Sequence, residues 1–195
     1  MFFEVTDEPT EGFLTSADPV VRQHLSLSEG ETDWDYLIDA LLRSAWSQAE
    51  NHIRQKLLTQ TVQAYACVVS AETLKLPVGP VQSVVSVEHL DSDGEWLSVS
   101  QDSYRTLTKR SGVVVSPKSG SLWPVEVVSD EENLRVTYVA GYGDTFAALP
   151  ADILDAIRIL TAFAFENRGD DPKAVFPDGM HPGAMQKLNA HRVWF

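Results

Sequence analysis

The sequence predicts an α+β fold with a helical core, an antiparallel β-rich insertion and an extended C-terminal arm. Apolar residues recur at helical spacing in two segments, about 32–57 and about 150–168. Between these segments, at about 61–140, short runs rich in Val, Thr and aromatic residues alternate with turn residues. Helices do not alternate with the strands as they do in βαβ units, so the strands are expected to be antiparallel.

The N-terminal residues show little regular pattern. Residues 1–14 have no periodicity, and we expect an irregular N-terminal arm at 1–15. A short helix should follow and end near Leu25. Ser16 is its candidate N-cap, and Pro19 should lie in its first turn, where the missing N–H costs little.

The segment 32–57 carries the clearest helical pattern. Thr32 is the predicted N-cap, and Asp35 three residues later completes a capping-box-like arrangement. The expected buried stripe contains Trp34, Leu37, Ile38, Leu41, Leu42, Ala45, Trp46, Ala49, Ile53 and Leu57. A second helix should start at Pro150 and close at Arg168, and should pack against the first.

Seven β-like runs lie between the two helices. They are Val62–Val69, Thr73–Leu76, Val81–Leu90, Trp96–Val99, Tyr104–Leu107, Gly112–Val115 and Leu134–Val139. Asp93-Gly94 predicts a hairpin turn of type I′ between the third and fourth runs. We therefore expect one domain at 16–168, flanked by an N-terminal arm at 1–15 and a C-terminal arm at 169–195.

The composition excludes several function classes. The formal net charge of −13 opposes binding to nucleic acid, because neutralising phosphates requires clustered Lys and Arg. This charge is explained either by solubility or by a surface that DNA passes without adhering. No apolar run approaches the ~20 residues of a membrane span, and the acidic N-terminus does not resemble a secretory signal. The single cysteine, Cys67, is expected to be buried.

We find no pattern that predicts catalysis. The five histidines are scattered and none has a partner at metal-ligand spacing, so no metal, no cofactor and no enzymatic activity are expected. Gly141 and Gly143 lie between a strand and a helix, as in a dinucleotide-binding turn. The third glycine is missing because Phe146 takes its place, which favours a structural turn. A nucleotide-binding enzyme that uses this turn remains the alternative from another class.

The segment 169–195 is predicted to be a docking arm. It contains three prolines and three glycines, which are unsuited to a compact core, yet it ends on an apolar triplet. The residues expected to bind a partner are Lys187, Leu188, His191, Arg192, Val193, Trp194 and Phe195. The alternative is that the segment folds back over its own domain.

Several segments together resemble a viral assembly family. They are Leu134–Gly143, Leu149–Ile153 with the helix that closes on Glu166-Asn167-Arg168, Leu76–Val87, the Asp91–Gly94 hairpin and His191–Phe195. In order and spacing they resemble the head–tail connector, or head-completion, proteins of long-tailed phages, and among these the adaptor of gene transfer agents. The resemblance extends from about Ser16 to the end of the chain.

The resemblance implies a structural protein of a virion or phage-like particle, assembled in the bacterial cytoplasm. Its copies would form a ring, usually dodecameric, beneath the portal and extend the DNA channel. Its partners would be other copies of itself, the portal protein, and a downstream connector, stopper or tail protein. DNA would pass without specific binding, and no membrane would be involved. A tail-completion or terminator ring is the alternative within assembly.

Overall fold

The structure, a computed structural model, describes residues 1–28, 30–69, 71–109, 112–125, 132–167 and 180–193. The predicted α+β class is confirmed, because the described residues form helices and antiparallel sheets. The chain divides into two compact units. We call residues 1–10, 58–144 and 193 the sheet unit, and residues 11–57 and 145–192 the helical unit. The predicted division into arm, domain and arm remains a prediction.

The helical unit is built on two helices that each bury one apolar stripe. Its helices are α1 (Pro19–His24), α2 (Asp35–Ile53), α3 (Ala151–Glu166) and α4 (Pro182–Asn189), with a short 3-10 helix at Phe146–Ala148. Helix α2 packs against α3. Ile38 and Ala49 of α2, and Ile153 and Ile157 of α3, are fully buried. These positions follow the helical spacing of the sequence.

The sheet unit contains two antiparallel sheets. Its strands are β1 (Phe2–Asp7), β2 (Gln60–Ala66), β3 (Leu74–Lys75), β4 (Val81–Leu90), β5 (Trp96–Ser98), β6 (Tyr104–Lys109), β7 (Gly112–Pro117) and β8 (Leu134–Ala140). The five-stranded sheet has the order β1-β2-β8-β4-β5, and the three-stranded sheet has the order β3-β7-β6. One hydrophobic core contains residues of both sheets.

The central strands β2 and β8 show the strictest alternation. Val62 and Ala64 of β2, and Val136 and Tyr138 of β8, point to the core and are fully buried, while the residues between them are half-buried. Val136 pairs with Ala64 and Tyr138 pairs with Val62. Because the side-chain period of a strand is two, this register fixes which face is covered.

The prediction of an irregular N-terminal arm is wrong for residues 2–7. They form β1, which pairs antiparallel with β2, so that Phe3 lies opposite Ala64. Phe13, in the helical unit, packs edge-on against Trp46 with ring centroids 5.3 Å apart. Neither contact could be predicted from the local sequence, because the two residues of each pair are far apart along the chain.

The predicted helix ends need correction. Asp18, not Ser16, caps α1, and its carboxylate accepts hydrogen bonds from the N–H groups of Val20 and Val21. Helix α2 begins at Asp35 rather than near Thr32, and its N-cap residue Trp34 makes no side-chain capping bond. Pro19 lies at the start of α1 as predicted.

Helix α2 also ends before Leu57, at Ile53. Arg54 takes a left-handed conformation with φ of 58°, which stops the helix. The carboxylate of Glu50 then turns back and accepts a hydrogen bond of 2.9 Å from the N–H of Leu57. Leu57 is still buried, but from irregular backbone.

The Asp93-Gly94 hairpin forms, but its turn is not of type I′. Among the central residues only Gly94 has a positive φ, of 82°. The N–H of Gly94 donates to the carbonyl of Asp91, and the Asp91 carboxylate accepts from the N–H groups of Asp93 and Glu95. The Asp91 side chain therefore stabilises a longer loop that the two-residue pattern did not reveal.

Cys67 is exposed, which contradicts the expectation of a buried thiol. It follows the last residue of β2, Ala66, and takes an outward position in an alternation that continues through buried Val68 and exposed Val69. Strand-like neighbours therefore did not guarantee burial at this position.

Candidate assembly surfaces

The C-terminal segment contains a helix where an extended arm was expected. Helix α4 starts with Pro182 in its first turn, and His181 caps it by accepting a 3.1 Å hydrogen bond at Nδ1 from the N–H of Gly183. Ala184 and Leu188 of α4 are fully buried, and the helix packs against α3 and α2 within the helical unit. The prediction of an extended arm is therefore wrong for residues 180–192. This segment instead folds back onto its own helical unit, which was the alternative. Burial of the α4 apolar face outweighed the proline and glycine content of the segment.

Polar contacts also hold this segment. Lys187 Nζ lies 3.2 Å from Asp155 Oδ2 on α3, and His52 Nε2 on α2 lies 2.8 Å from Asn189 Oδ1. Gln55 Nε2 donates a hydrogen bond to the carbonyl of His191. Contacts to two different helices thus fix the position of α4.

Of the seven residues predicted to bind a partner, the five that the structure describes have different environments. Leu188 is inside the helical unit, and Lys187 is half-exposed and paired with Asp155. His191, Arg192 and Val193 are half-buried. Trp194 and Phe195 lie outside the described residues. Of the five residues that the structure describes, Leu188 does not reach the surface.

The outer face of the five-stranded sheet carries a row of side chains that was not among the predicted partner-binding residues. Register pairs Phe2 with Tyr65, Tyr65 with Arg135, and Arg135 with Glu88, across β1, β2, β8 and β4. The Phe2 and Tyr65 rings stack with centroids 4.6 Å apart. The Arg135 guanidinium lies 4.7 Å from the centre of the Trp96 ring on β5.

Charge reinforces the row at its centre. Arg135 Nε donates a 2.8 Å hydrogen bond to Glu88 Oε2. This bond raises the pKa of Arg135, although partial burial opposes the rise. Burial, followed by the hydrogen bond to Glu4, raises the pKa of Tyr65. The outer face thus combines aromatic rings with Arg135, residue types that are enriched at protein interfaces. The alternation of residue types along β2 and β8 indicated that each strand has an outward face. It did not show which strands lie next to each other in the sheet.

The Gly141–Gly143 turn makes close contacts inside the sheet unit. Gly141 has φ of 134°, and a Cβ at this position would lie 2.4 Å from the carbonyl oxygen of Leu58. The N–H of Thr59 donates a 2.9 Å hydrogen bond to the carbonyl of Gly143. Gln82 Nε2 donates a 2.9 Å hydrogen bond to the carbonyl of Gly141. The backbone carbonyl groups of Gly141 and Gly143 therefore already accept hydrogen bonds from residues of the same unit.

Within the part of the chain that the structure describes, no group of three or more His, Cys, Asp or Glu side chains could hold a metal ion. No helix of the described residues is long and apolar enough to cross a membrane.

Comparison with known proteins identifies the fold. No family model and no curated protein matches the chain. Among solved structures, a chain of the "Neck of empty GTA particle computed with C6 symmetry" matches with a TM-score of 0.76 and 21% identity, covering 100% of this chain and 97% of that chain. A chain of the "Virion of native gene transfer agent (GTA) particle" matches with a TM-score of 0.70 and 22% identity, covering 97% and 96%.

A third solved chain comes from the "Neck of native GTA particle computed with C12 symmetry". It matches with a TM-score of 0.69 and 21% identity, covering 97% of this chain and 96% of that chain. The protein therefore has the fold of chains found in gene transfer agent particles and their necks.

Proposed function

We propose that this protein is a structural subunit of the neck of a gene transfer agent or related phage-like particle. In this role it is the adaptor, or head–tail connector, that forms a ring between the portal and the tail. The observation that carries the proposal is the fold shared with neck chains over the whole length of this chain. The C6 and C12 symmetries in the titles of those structures support a ring, which we propose to be dodecameric.

The two units have different roles in this proposal. The helical unit, with α2 packed on α3, forms the body of the ring. The sheet unit contacts neighbouring copies or the downstream connector, stopper or tail protein, and its aromatic row is an interface of suitable composition. Docking on the portal falls to the end of the chain after α4, with Arg192, Val193, Trp194 and Phe195, because Leu188 is buried in its own unit.

The charge of the protein supports a channel that DNA passes through. With a net charge of −13, the subunit repels the phosphate backbone and should not bind it specifically. A ring of such subunits lets DNA slide between head and tail. We expect the protein to be assembled into particles in the bacterial cytoplasm.

The alternative in another class is an enzyme that binds a nucleotide at Gly141–Gly143. A dinucleotide-binding turn joins a strand of a parallel sheet directly to a helix N-terminus. Here β8 lies between two antiparallel neighbours, and the turn leads to a 3-10 helix before α3 begins at Ala151. The carbonyl of Leu58 also blocks close approach to Gly141. These observations favour a structural turn.

Deleting the gene in a particle-producing host tests the proposal. Electron microscopy should show heads beside unattached, normally finished tails, because an adaptor acts between the two. Tails of irregular length beside normal heads would instead identify the tail-terminator alternative. Two variant genes are then returned to the deletion strain. The test variant carries Trp194→Ala with Phe195→Ala, and the control carries Tyr36→Ala, because the Tyr36 side chain is 92% exposed on α2. The first variant should fold but fail to join portal-bearing heads, and the second should restore particles.

A further inference from the structure

The two sheets end in four edge strands, of which β5 and β3 have three and two residues while β1 and β6 have six each. Among the described residues, β1 pairs with β2 alone and β6 pairs with β7 alone. No strand of the described residues pairs with the outer edge of either one. An edge strand presents unpaired N–H and C=O groups, which can accept a strand from another chain.

The edge strand β1 is acidic. Glu4 lies opposite Gln63 and Asp7 lies opposite Thr61, which places both carboxylates on the same outer face of the sheet. Both side chains are exposed, and exposed Glu8 follows the strand. Glu4 also accepts a 2.6 Å hydrogen bond from the Tyr65 hydroxyl group. That bond holds its carboxylate in place on the outer face.

The edge strand β6 is basic. Arg105 and Lys109 are four residues apart, so both side chains lie on one face of the strand, and both are exposed. Arg105 Nε donates a 3.3 Å hydrogen bond to Ser116 Oγ on β7, which orients the guanidinium group along the sheet. No carboxylate lies within β6 itself.

We propose that β1 of one copy pairs edge to edge with β6 of the next copy. Glu4 and Asp7 of one chain then face Arg105 and Lys109 of its neighbour. Opposite charges across a strand pair stabilise it, whereas β1 beside β1 or β6 beside β6 would place like charges together. The charges therefore exclude symmetric pairing and select a head-to-tail contact.

A head-to-tail contact uses two different surfaces of each subunit, so every copy can bind one neighbour on each side. Such a contact generates a ring when its rotation closes. The closure of that ring rests on the proposed function, while the strand contact does not. Phe2 and Phe3, which are 49% and 43% exposed on β1, would be partly covered by the same contact.

Charge reversal tests the pairing. Asp7→Lys with Glu8→Lys and, in a second chain, Arg105→Glu with Lys109→Glu should each weaken self-association about tenfold or more. A mixture of the two reversed chains should again form mixed assemblies, because β1 of one now complements β6 of the other. Assembly is measured by native mass spectrometry, and thermal melting checks that each variant folds. If charged edges only block sheet extension, each reversed chain will self-associate like wild type, which would overturn the proposal.

A covalent trap extends the test to weak association. In a Cys67→Ser background, one chain carries Asp7→Cys and the other carries Lys109→Cys, at exposed positions that the proposed contact places on the same face. Oxidation of the mixture should give disulfide-linked heterodimers of these two variants well above the random proportion. The matched control is Tyr36→Cys, which should pair only at random. Random pairing throughout would reject the strand contact.

The two proposals fail separately. Rings that form in wild type and remain unchanged in all the charge-reversed and cysteine variants would leave the neck function intact but reject the β1–β6 contact. Specific trapping of the Asp7→Cys chain with the Lys109→Cys chain, together with normal particles after gene deletion, would confirm the contact and reject the neck function.

Discussion

The helical and sheet units are stabilised in different ways. In the helical unit, α2 and α3 bury apolar stripes against each other. The short helix α4 is held by polar contacts to both of these helices. In the sheet unit, the central strands fix a strict register, and a glycine allows the Gly141 turn to approach Leu58. The edges β1 and β6 remain mostly exposed. Stability is therefore concentrated at the centre of each unit, while the sheet edges remain available for partners.

The largest loss of stability is expected from Trp46→Ala. Trp46 is buried on α2 and contacts Phe13, so its removal should leave a cavity that costs about 3–5 kcal/mol. The free energy of unfolding is measured by denaturant titration, and hydrogen exchange should show faster exchange in α2 and α3. Tyr36→Ala on the same helix is the control, with an expected change within ~0.5 kcal/mol. A loss below ~1 kcal/mol would show that Trp46 does not belong to the core of the helical unit.

The next largest effect should come from Leu188→Ala. Its side chain is fully buried, and truncation should cost about 2–5 kcal/mol in the free energy of unfolding. Lys187→Ala, which removes only the partly exposed pair with Asp155, should cost at most ~1 kcal/mol. Equal small losses from both variants would mean that α4 is a detachable arm rather than part of the helical unit.

In the sheet unit, Gly141→Ala should lower the free energy of unfolding by at least ~1–3 kcal/mol, through strain at positive φ. The clash of its Cβ with Leu58 adds to this strain. Gly120→Ala is the matched control, because Gly120 also has a positive φ but has no atom near its Cβ position. Gly141→Ala should therefore cost clearly more than Gly120→Ala in the same thermal and chemical melts.

The smallest effect concerns pH. Burial raises the pKa of Tyr138, so the folded protein keeps this hydroxyl protonated at a pH where the unfolded chain releases its proton. The stabilisation is complete below the unfolded pKa of about 10 and falls as pH rises above it. About one unit above that value, the loss should approach ~1.4 kcal/mol. Tyr138→Phe should remove this part of the pH dependence, and an unchanged alkaline profile would contradict the assignment.

The sequence predicted the parts that local pattern controls. The run Val81–Leu90 matches β4 residue for residue, and Leu134–Val139 matches β8 apart from Ala140. Pro150, which was expected to start the second helix, is the N-cap residue of α3, one position before its first residue. In these segments the apolar period and the flanking turn residues agree with the final packing.

The sequence failed where distant residues decide the conformation. Phe2–Asp7 is a strand because β2, far later in the chain, offers it an edge, which periodicity cannot show. Pro182–Asn189 is helical because Ala184 and Leu188 find an apolar surface on other helices. The candidate surface was missed for the same reason, since Phe2, Tyr65 and Arg135 come together only through register.

The pairing of Gln60 with Ala140 has a consequence for synthesis of the chain. Strand β2 lies between β1 and β8, so it cannot be flanked on both sides until residue 140 has left the ribosome. Because α2 likewise packs on the later α3, the helical unit also forms only after α3 has been made. Nascent chains shorter than about 140 residues carry a central strand with one unpaired edge, which exposes them to aggregation.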